Sequence, residues 1–210
     1  MTGRIITVAQ QKGGSGKTTL AANLACAWRR EGARVALIDT DPQGSLGRWF
    51  MERLGTLPAD EGLEFSTSSA WGAAYKADKL KRRFDLIIID TPPKIDSDLR
   101  PALRAADLVL VPVASSQVDL WATEGVLDLA AREKRPALVV LNRTRPGTRL
   151  GAEIAAGAGQ LGAEVAAATL GNRVAFAETL GRGRGVADGP ASAASAEVTA
   201  LAGEVMARLG

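Results

Sequence analysis

The 210-residue chain has no histidine and one cysteine, Cys26. Those absences exclude Ser-His-Asp triads, Cys/His zinc sites, thiolate-ligated clusters within one chain and any intrachain disulfide. Chemistry here has to come from carboxylates, hydroxyls, lysine, arginine and backbone amides. Aromatic residues make up only 4%, and no run of them forms a platform on which single-stranded bases would stack. Long hydrophobic runs are missing too. No uncharged stretch approaches the ~18 residues needed to span a bilayer. The apolar segment Ile5 to Ala9 is too short for a secretory signal and runs straight into a glycine loop. With a lone cysteine, this makes the cytoplasm the expected compartment. Charge of one sign is in small surplus: 26 Lys+Arg against 23 Asp+Glu leave a net +3, which permits an anionic partner without demanding one. What remains, 46% hydrophobic and 23% charged residues, is ordinary globular composition. At this length residues 1–210 are expected to form a single domain.

Short β-branched runs alternate with longer Ala/Leu-rich amphipathic segments. That pattern predicts an α/β fold, a doubly wound, mainly parallel sheet with helices on both faces. Strands are expected at Arg4 to Ala9, Arg34 to Asp39, Phe84 to Asp90, Leu108 to Val113 and Ala137 to Asn142, with weaker ones at Leu63 to Ser66 and Glu164 to Thr169. Helices are expected at Lys17 to Glu31, Ser45 to Leu54, Ala73 to Arg83, Asp98 to Ala106, Val118 to Glu133, Leu150 to Leu161, Arg173 to Leu180 and Ala194 to Leu209. The Gly/Arg-rich segment Gly181 to Pro190 reads as a surface loop. Cys26 and the four tryptophans read as packing residues.

The first strand is followed by Gln10-Gln-Lys-Gly-Gly-Ser-Gly-Lys-Thr-Thr19 and then by a helix, the context a phosphate cradle requires. Gly13, Gly14, Ser15 and Gly16 let backbone amides turn toward an anion, and the helix start adds unpaired amides and a positive dipole end. Lys17 reaches the β- and γ-phosphates of such a ligand, and Thr18 supplies a hydroxyl for Mg²⁺. The usual first glycine is replaced by Gln11, and an extra lysine, Lys12, stands at the loop entrance. Two further strands end in acids, Asp39 and Asp41 in one, Asp90 in the other. Ligands of open parallel sheets bind outside the carboxyl ends of the strands, so all three acids are expected beside the loop. Any one of them taken singly could instead be a helix cap or turn residue, but three at the same sheet edge beside a lysine loop favour the phosphate site for the set.

These segments, KGGSGKTT from Lys12, IDTDPQGSL from Ile38, LIIIDTPP from Leu86 and the strand ending in Leu141-Asn142, resemble the ParA/MinD family of deviant Walker ATPases within the P-loop NTPases. The likeness is to its small single-domain partition and cargo-positioning members. The resemblance implies ATP and Mg²⁺ as ligands and an ATP-bound sandwich homodimer in which Lys12 crosses to the partner's phosphates. It also implies roles for individual residues. Asp41 would orient the attacking water, Asp39 and Asp90 would support Mg²⁺ with Thr18, Thr19 would contact the α-phosphate and Asn142 would bond the adenine. Slow ATP hydrolysis, raised by a ParB-like or cargo adaptor, is part of the same expectation.

Family members differ in the surface they ride on. The last helix carries Glu197 and Glu204 with Arg208 as its one basic residue, which argues against a membrane-surface helix. Arg145, Arg149, Arg173, Arg182 and Arg184 instead make non-specific DNA the expected partner, and the nucleoid the expected location of the ATP form. Arg182-Gly-Arg-Gly185 reads as flexible enough to follow a DNA backbone. The basic groups Lys79 to Arg83 and Arg132 to Arg135 fall at the far end of the sheet, complementing helix dipoles. The alternatives are a nucleotide-dependent scaffold with little hydrolysis and a MinD-like membrane-surface positioning ATPase. An iron–sulfur scaffold lacks its paired cysteines, and a small-molecule kinase lacks room for a substrate lobe.

Overall fold

The structure, a computed structural model, describes residues 2–57, 62–93, 99–114 and 116–210. Among these, seven strands form one sheet: β1 (Arg4–Val8), β2 (Val35–Asp39), β3 (Leu63–Thr67), β4 (Leu86–Asp90), β5 (Leu108–Val113), β6 (Ala137–Leu141) and β7 (Glu164–Val165). Their order is β3-β2-β4-β1-β5-β6-β7. Every pairing is parallel, so the sheet expected to be mainly parallel is wholly so. The helices are α1 (Lys17–Arg30), α2 (Ser45–Thr56), α3 (Ala70–Leu80), α4 (Leu99–Ala105), α5 (Gln117–Arg132), α6 (Arg149–Gly159), α7 (Val174–Leu180) and α8 (Ala193–Leu209), with a 3-10 turn at Val186–Asp188. Asp98, the expected start of the fourth helix, lies outside the described residues.

Strand residues alternate between two helical layers, which is why the central strands read as continuous apolar runs. Ile6, Val8, Leu37, Ile88, Leu110 and Val140 pack with α1, α2, α7 and α8. Their neighbours Val109, Val111 and Val139 face α4, α5 and α6, while Ile5, Ile38 and Ile89 face α3 and α4. The Ala-rich α1 is buried on almost every side, since small side chains let it lie between the sheet and α8. The apolar stripe of α8, from Val198 through Leu201 and Val205 to Leu209, is buried in that same layer.

Three expectations need correction. The segment Glu164 to Thr169 is strand only at Glu164–Val165. Beyond it the Ala167 and Ala168 amides donate to the Glu204 carboxylate of α8 rather than to a neighbouring strand. The expected helix start at Ala73 is displaced to Ala70 because Ser69 caps it, its hydroxyl accepting from the Gly72 amide. The segment Gly181 to Pro190 is not simply a surface loop, since Val186 and Ala187 are buried in the core beside α1. It encloses Arg53, only 1% exposed, whose guanidinium donates to Asp188 Oδ2 at 2.7 Å and Oδ1 at 3.1 Å and to the Gly183 carbonyl at 3.1 Å. The Arg53 guanidinium also lies 3.5 Å from Cys26 Sγ, so the cysteine is a packed residue as expected; burial pushes its thiol far up. Trp28 and Trp49 are core residues as well, whereas Trp71 and Trp121 are 68% and 61% exposed.

Candidate nucleotide site

The sheet order puts β1 at its centre, with β4 on one side and β5 on the other, so the loop after β1 emerges where the winding reverses. Ligands of such sheets bind at that point. Register then aligns the acids: Val8 pairs with Asp90 and Asp39 pairs with Asp90. The loop between β1 and α1 therefore has both carboxylates on its β4 side, Asp90 on the adjacent strand and Asp39 one strand further, by strand order and register together.

Left-handed backbone at Gly14 (φ 76°) and Gly16 (φ 93°) forms the turn of the loop. Gly16 stands at the N-cap of α1 and offers no side-chain cap, so the first amides of the helix are left for an anion. The contrast with α3, α5, α6 and α8 is informative, because Ser69, Ser116, Thr148 and Ser192 cap those helices. The loop is braced at its start by Gln10, 1% exposed. Its amide donates to the Pro112 carbonyl and the Thr123 hydroxyl and accepts from the Gln11 amide. Sequence reasoning missed this glutamine; the available signal was a polar residue continuing directly from a buried strand.

Lys17 is 7% exposed, and burial lowers its ammonium below the usual lysine range against the opposing pull of Asp90 and Asp41. Thr18 donates its hydroxyl to Asp90 Oδ2 at 2.7 Å. Burial raises the Asp90 carboxyl to about 7, with the Thr18 bond pulling it down and Asp39 pushing it up. Asp90 Oδ1 is buried without a hydrogen-bond partner, and so is Ser15 Oγ. Asp39 Oδ1 accepts from the Asp41 amide at 2.9 Å and Oδ2 from the Gly47 amide at 3.1 Å. It thus also caps α2, and burial raises its carboxyl despite those two donors. Asp41 is the more open acid, one oxygen accepting from the Gln43 amide at 2.9 Å.

No group of three or more acidic or sulfur ligands capable of holding a metal alone occurs among the described residues. The donor set still fits Mg²⁺ bound with a nucleotide, because this ion keeps waters and takes one or two protein oxygens plus phosphate oxygens. Thr18 and Asp90, the latter with an unsatisfied buried oxygen, are the residues that would hold it, with Asp39 alongside.

A cleft of about 770 Å³ opens next to the loop, its walls including Thr19, Asn142, Arg48, Arg173 and Phe176. Asn142 reaches the loop itself, donating to the Ser15 carbonyl at 2.9 Å. Lys12 does not fold into its own loop. Its ammonium lies 2.7 Å from Asp119 Oδ1 and 3.4 Å from Ser116 Oγ, at the start of α5.

The arginines expected to meet DNA fall into two groups. Arg145, Arg149 and Arg173 are exposed near the carboxyl end of the sheet. Arg173 is doubly paired with Glu197, and Arg149 with Glu153. Arg182 and Arg184 lie along α2, where their carbonyls accept from Thr56 and Trp49. The expected flexible Arg182 to Gly185 segment is thus tied down, because Arg53 and Asp188 also bind Gly183 and Gly185. At the opposite end of the sheet, Lys81 accepts from the Gly3 amide through its carbonyl and Arg135 donates to the Ala106 carbonyl. That places both remaining basic groups away from the loop, as expected.

Residues 6–186 match the CbiA description, the CobQ/CobB/MinD/ParA nucleotide binding domain. The chain is 33% identical over 147 residues to maintenance of carboxysome distribution protein A of Halothiobacillus neapolitanus, covering 67% of each chain. It is 35% identical over 153 residues to the chromosome-partitioning ATPase Soj of Thermus thermophilus, covering 61% of this chain and 60% of that one. These alignments span only about 60 to 67% of the curated relatives. Among solved structures, apo McdA from Cyanothece superposes with a TM-score of 0.82 at 18% identity, over 99% of both chains. MinD of Pyrococcus horikoshii with Mg-ADP superposes with a TM-score of 0.81 at 20% identity, over 96% of this chain and 95% of that one. Motif, register and family match coincide, and the chain belongs to the CobQ/CobB/MinD/ParA nucleotide binding domain family, among the ParA/MinD-type ATPases.

Proposed function

We propose that this chain is a slow MgATP hydrolase that dimerises with ATP, binds DNA without sequence preference, and positions a DNA locus or protein cargo until an adaptor stimulates hydrolysis. It works as a single domain in the cytoplasm, on the nucleoid while ATP is bound. The observation that carries this reading is the group around the loop: an uncapped α1, Lys17, and Thr18 bonded to an Asp90 that retains one unsatisfied buried oxygen. The named relatives support the cargo side, since they include a carboxysome distribution protein and a chromosome-partitioning ATPase. A membrane-surface role is disfavoured by α8, whose apolar stripe is already buried against the core.

In this reading Lys17 and the loop amides neutralise the phosphates in a site that excludes most water. Mg²⁺ supplies further charge neutralisation when bound. Thr19 meets the α-phosphate, and Asp41, the acid with most solvent access, holds a water for attack. Single-turnover hydrolysis tests this directly. Asp41→Ala should retain ATP binding and lose about a hundred-fold or more in rate; an unchanged rate would leave a nucleotide-dependent scaffold as the better description.

DNA binding should require ATP and weaken steeply with salt, because each neutralised phosphate contributes roughly −0.9 to the log–log slope. Replacing Arg145 and Arg149 together with alanine should reduce that slope by about 2. A flat salt titration of the wild-type ATP form would remove DNA from the scheme.

A further inference from the structure

We infer that Asn142 is a positioning residue that clamps the phosphate loop, so that its contribution to nucleotide binding is independent of the base. The inference rests on the nucleotide reading of the site and adds a function for a residue that the family resemblance assigns to adenine. Asn142 follows β6 and is 6% exposed. Its Nδ2 donates to the Ser15 carbonyl at 2.9 Å, across 127 residues of sequence. Its Oδ1 accepts from the Arg143 amide at 2.9 Å, where Arg143 holds a left-handed φ of 54°. That conformation is uncommon for a non-glycine residue, and the bond fixes the turn that presents the Asn142 amide to the loop.

The fit on the loop side is equally close. A Cβ on Gly16 would lie 2.3 Å from Asn142 Nδ2, so the asparagine amide occupies the space that the glycine leaves. A trans peptide points its carbonyl and its N–H in opposite directions. Holding the Ser15 carbonyl against Asn142 therefore turns the Gly16 N–H the other way, toward the concave side of the loop where the phosphates are expected. Without the clamp, the Ser15–Gly16 peptide is free to rotate, and a buried carbonyl loses its donor. The consequence is felt by any triphosphate, whatever base it carries.

Isothermal titration of the full chain with MgATP, MgGTP and magnesium triphosphate separates a clamp from a base reader. Asn142→Ala should weaken every ligand that the wild type binds by the same factor, about 5- to 100-fold. Asn142→Asp keeps the side-chain volume while setting an acceptor against the Ser15 carbonyl, and should do the same. A loss confined to ATP, with GTP and triphosphate unchanged, would overturn the clamp in favour of base recognition. A double-mutant cycle gives a reading from ATP alone. Gly16→Ala is strained in either background by its φ of 93°, but it should cost clearly more in the wild type, where the Asn142 amide adds a clash, than in the Asn142→Ala background, and strictly additive costs would also overturn the proposal. Wild-type protein that binds none of the three ligands would overturn the nucleotide site and the clamp with it.

Discussion

Lys12→Ala is expected to leave ATP binding by the single chain within a few-fold of wild type and to abolish the ATP-dependent dimer, read as the loss of the mass increase in light scattering. Lys17 and the loop amides, not Lys12, are the groups proposed to bind the chain's own phosphates. The Lys12 ammonium instead points to the start of α5, 2.7 Å from Asp119 Oδ1. There the Ser116 hydroxyl also donates to Asp119. The lysine side chain is 38% exposed against 5% for the aspartate, so the cation sits at the mouth of the site over a nearly buried carboxylate. Reaching a second chain's phosphates means breaking that pair. Asp119→Asn should therefore act in the opposite direction and favour the dimer. The gain is limited to about thirtyfold in protein concentration at half-dimerisation, because two such pairs break per symmetric dimer and a partly exposed ion pair is worth about 1 kcal/mol at most. Undiminished dimerisation of Lys12→Ala would contradict the sandwich arrangement, and loss of the dimer in Asp119→Asn would put Asp119 itself in the interface.

Asp188→Asn should cost about 3 to 5 kcal/mol of folding stability, because it leaves the Arg53 charge uncompensated where water cannot reach it. For a chain of this size that corresponds to a fall of about 10 °C in thermal midpoint by circular dichroism. The aspartate is tied from three sides: Oδ2 accepts from Arg53 Nη1 and from the Gly185 amide, both at 2.7 Å, and Oδ1 from Arg53 Nη2 at 3.1 Å. Burial alone would raise its carboxyl, but the Arg53 and Gly185 donors outweigh it and hold the group below the usual aspartate range. A depressed folded-state pKa stabilises the protein above the unfolded value of about 3.9 and loses that contribution as pH falls through the lower folded value. Wild type should thus lose stability between about pH 4 and lower, while Asp188→Asn should lack that part of the acid limb. Replacing both partners with apolar residues of similar volume, Arg53→Met with Asp188→Leu, should recover most of the loss. If Asp188→Asn melts with the wild type, the pair is not a structural tie.

Much of the site was legible because its chemistry is local in sequence. The glycines, Lys17, Thr18 and Thr19 are consecutive, and Asp39 and Asp90 each end an apolar strand, so a parallel sheet brings them to one edge with no further information. The helical segments were legible for the same reason, apart from starts such as that of α3, which depends on the Ser69 cap. Contacts between residues far apart in the chain were not. Asn142 meets Ser15 across 127 residues and Arg53 meets Asp188 across 135. Nothing in the local pattern around Arg53 marks it as buried, since an arginine on an amphipathic helix is ordinarily exposed. Arg173 reads as a free cation until the fold places Glu197, 24 residues on, against it.

The sequence by itself determined the parallel α/β architecture, the phosphate loop and the residue types available for chemistry. Without histidine or paired cysteines, that chemistry is confined to lysine, aspartate, threonine and amides. Only the tertiary structure decided the state of those groups. Strand register sets Asp39 beside Asp90, and their shared burial raises both carboxyls. Packing of α5 against the loop start sends Lys12 to Asp119, and the end of β6 sets Asn142 against Ser15. Motifs are read along the chain, whereas burial and charge pairing are set by what the folded chain brings into contact.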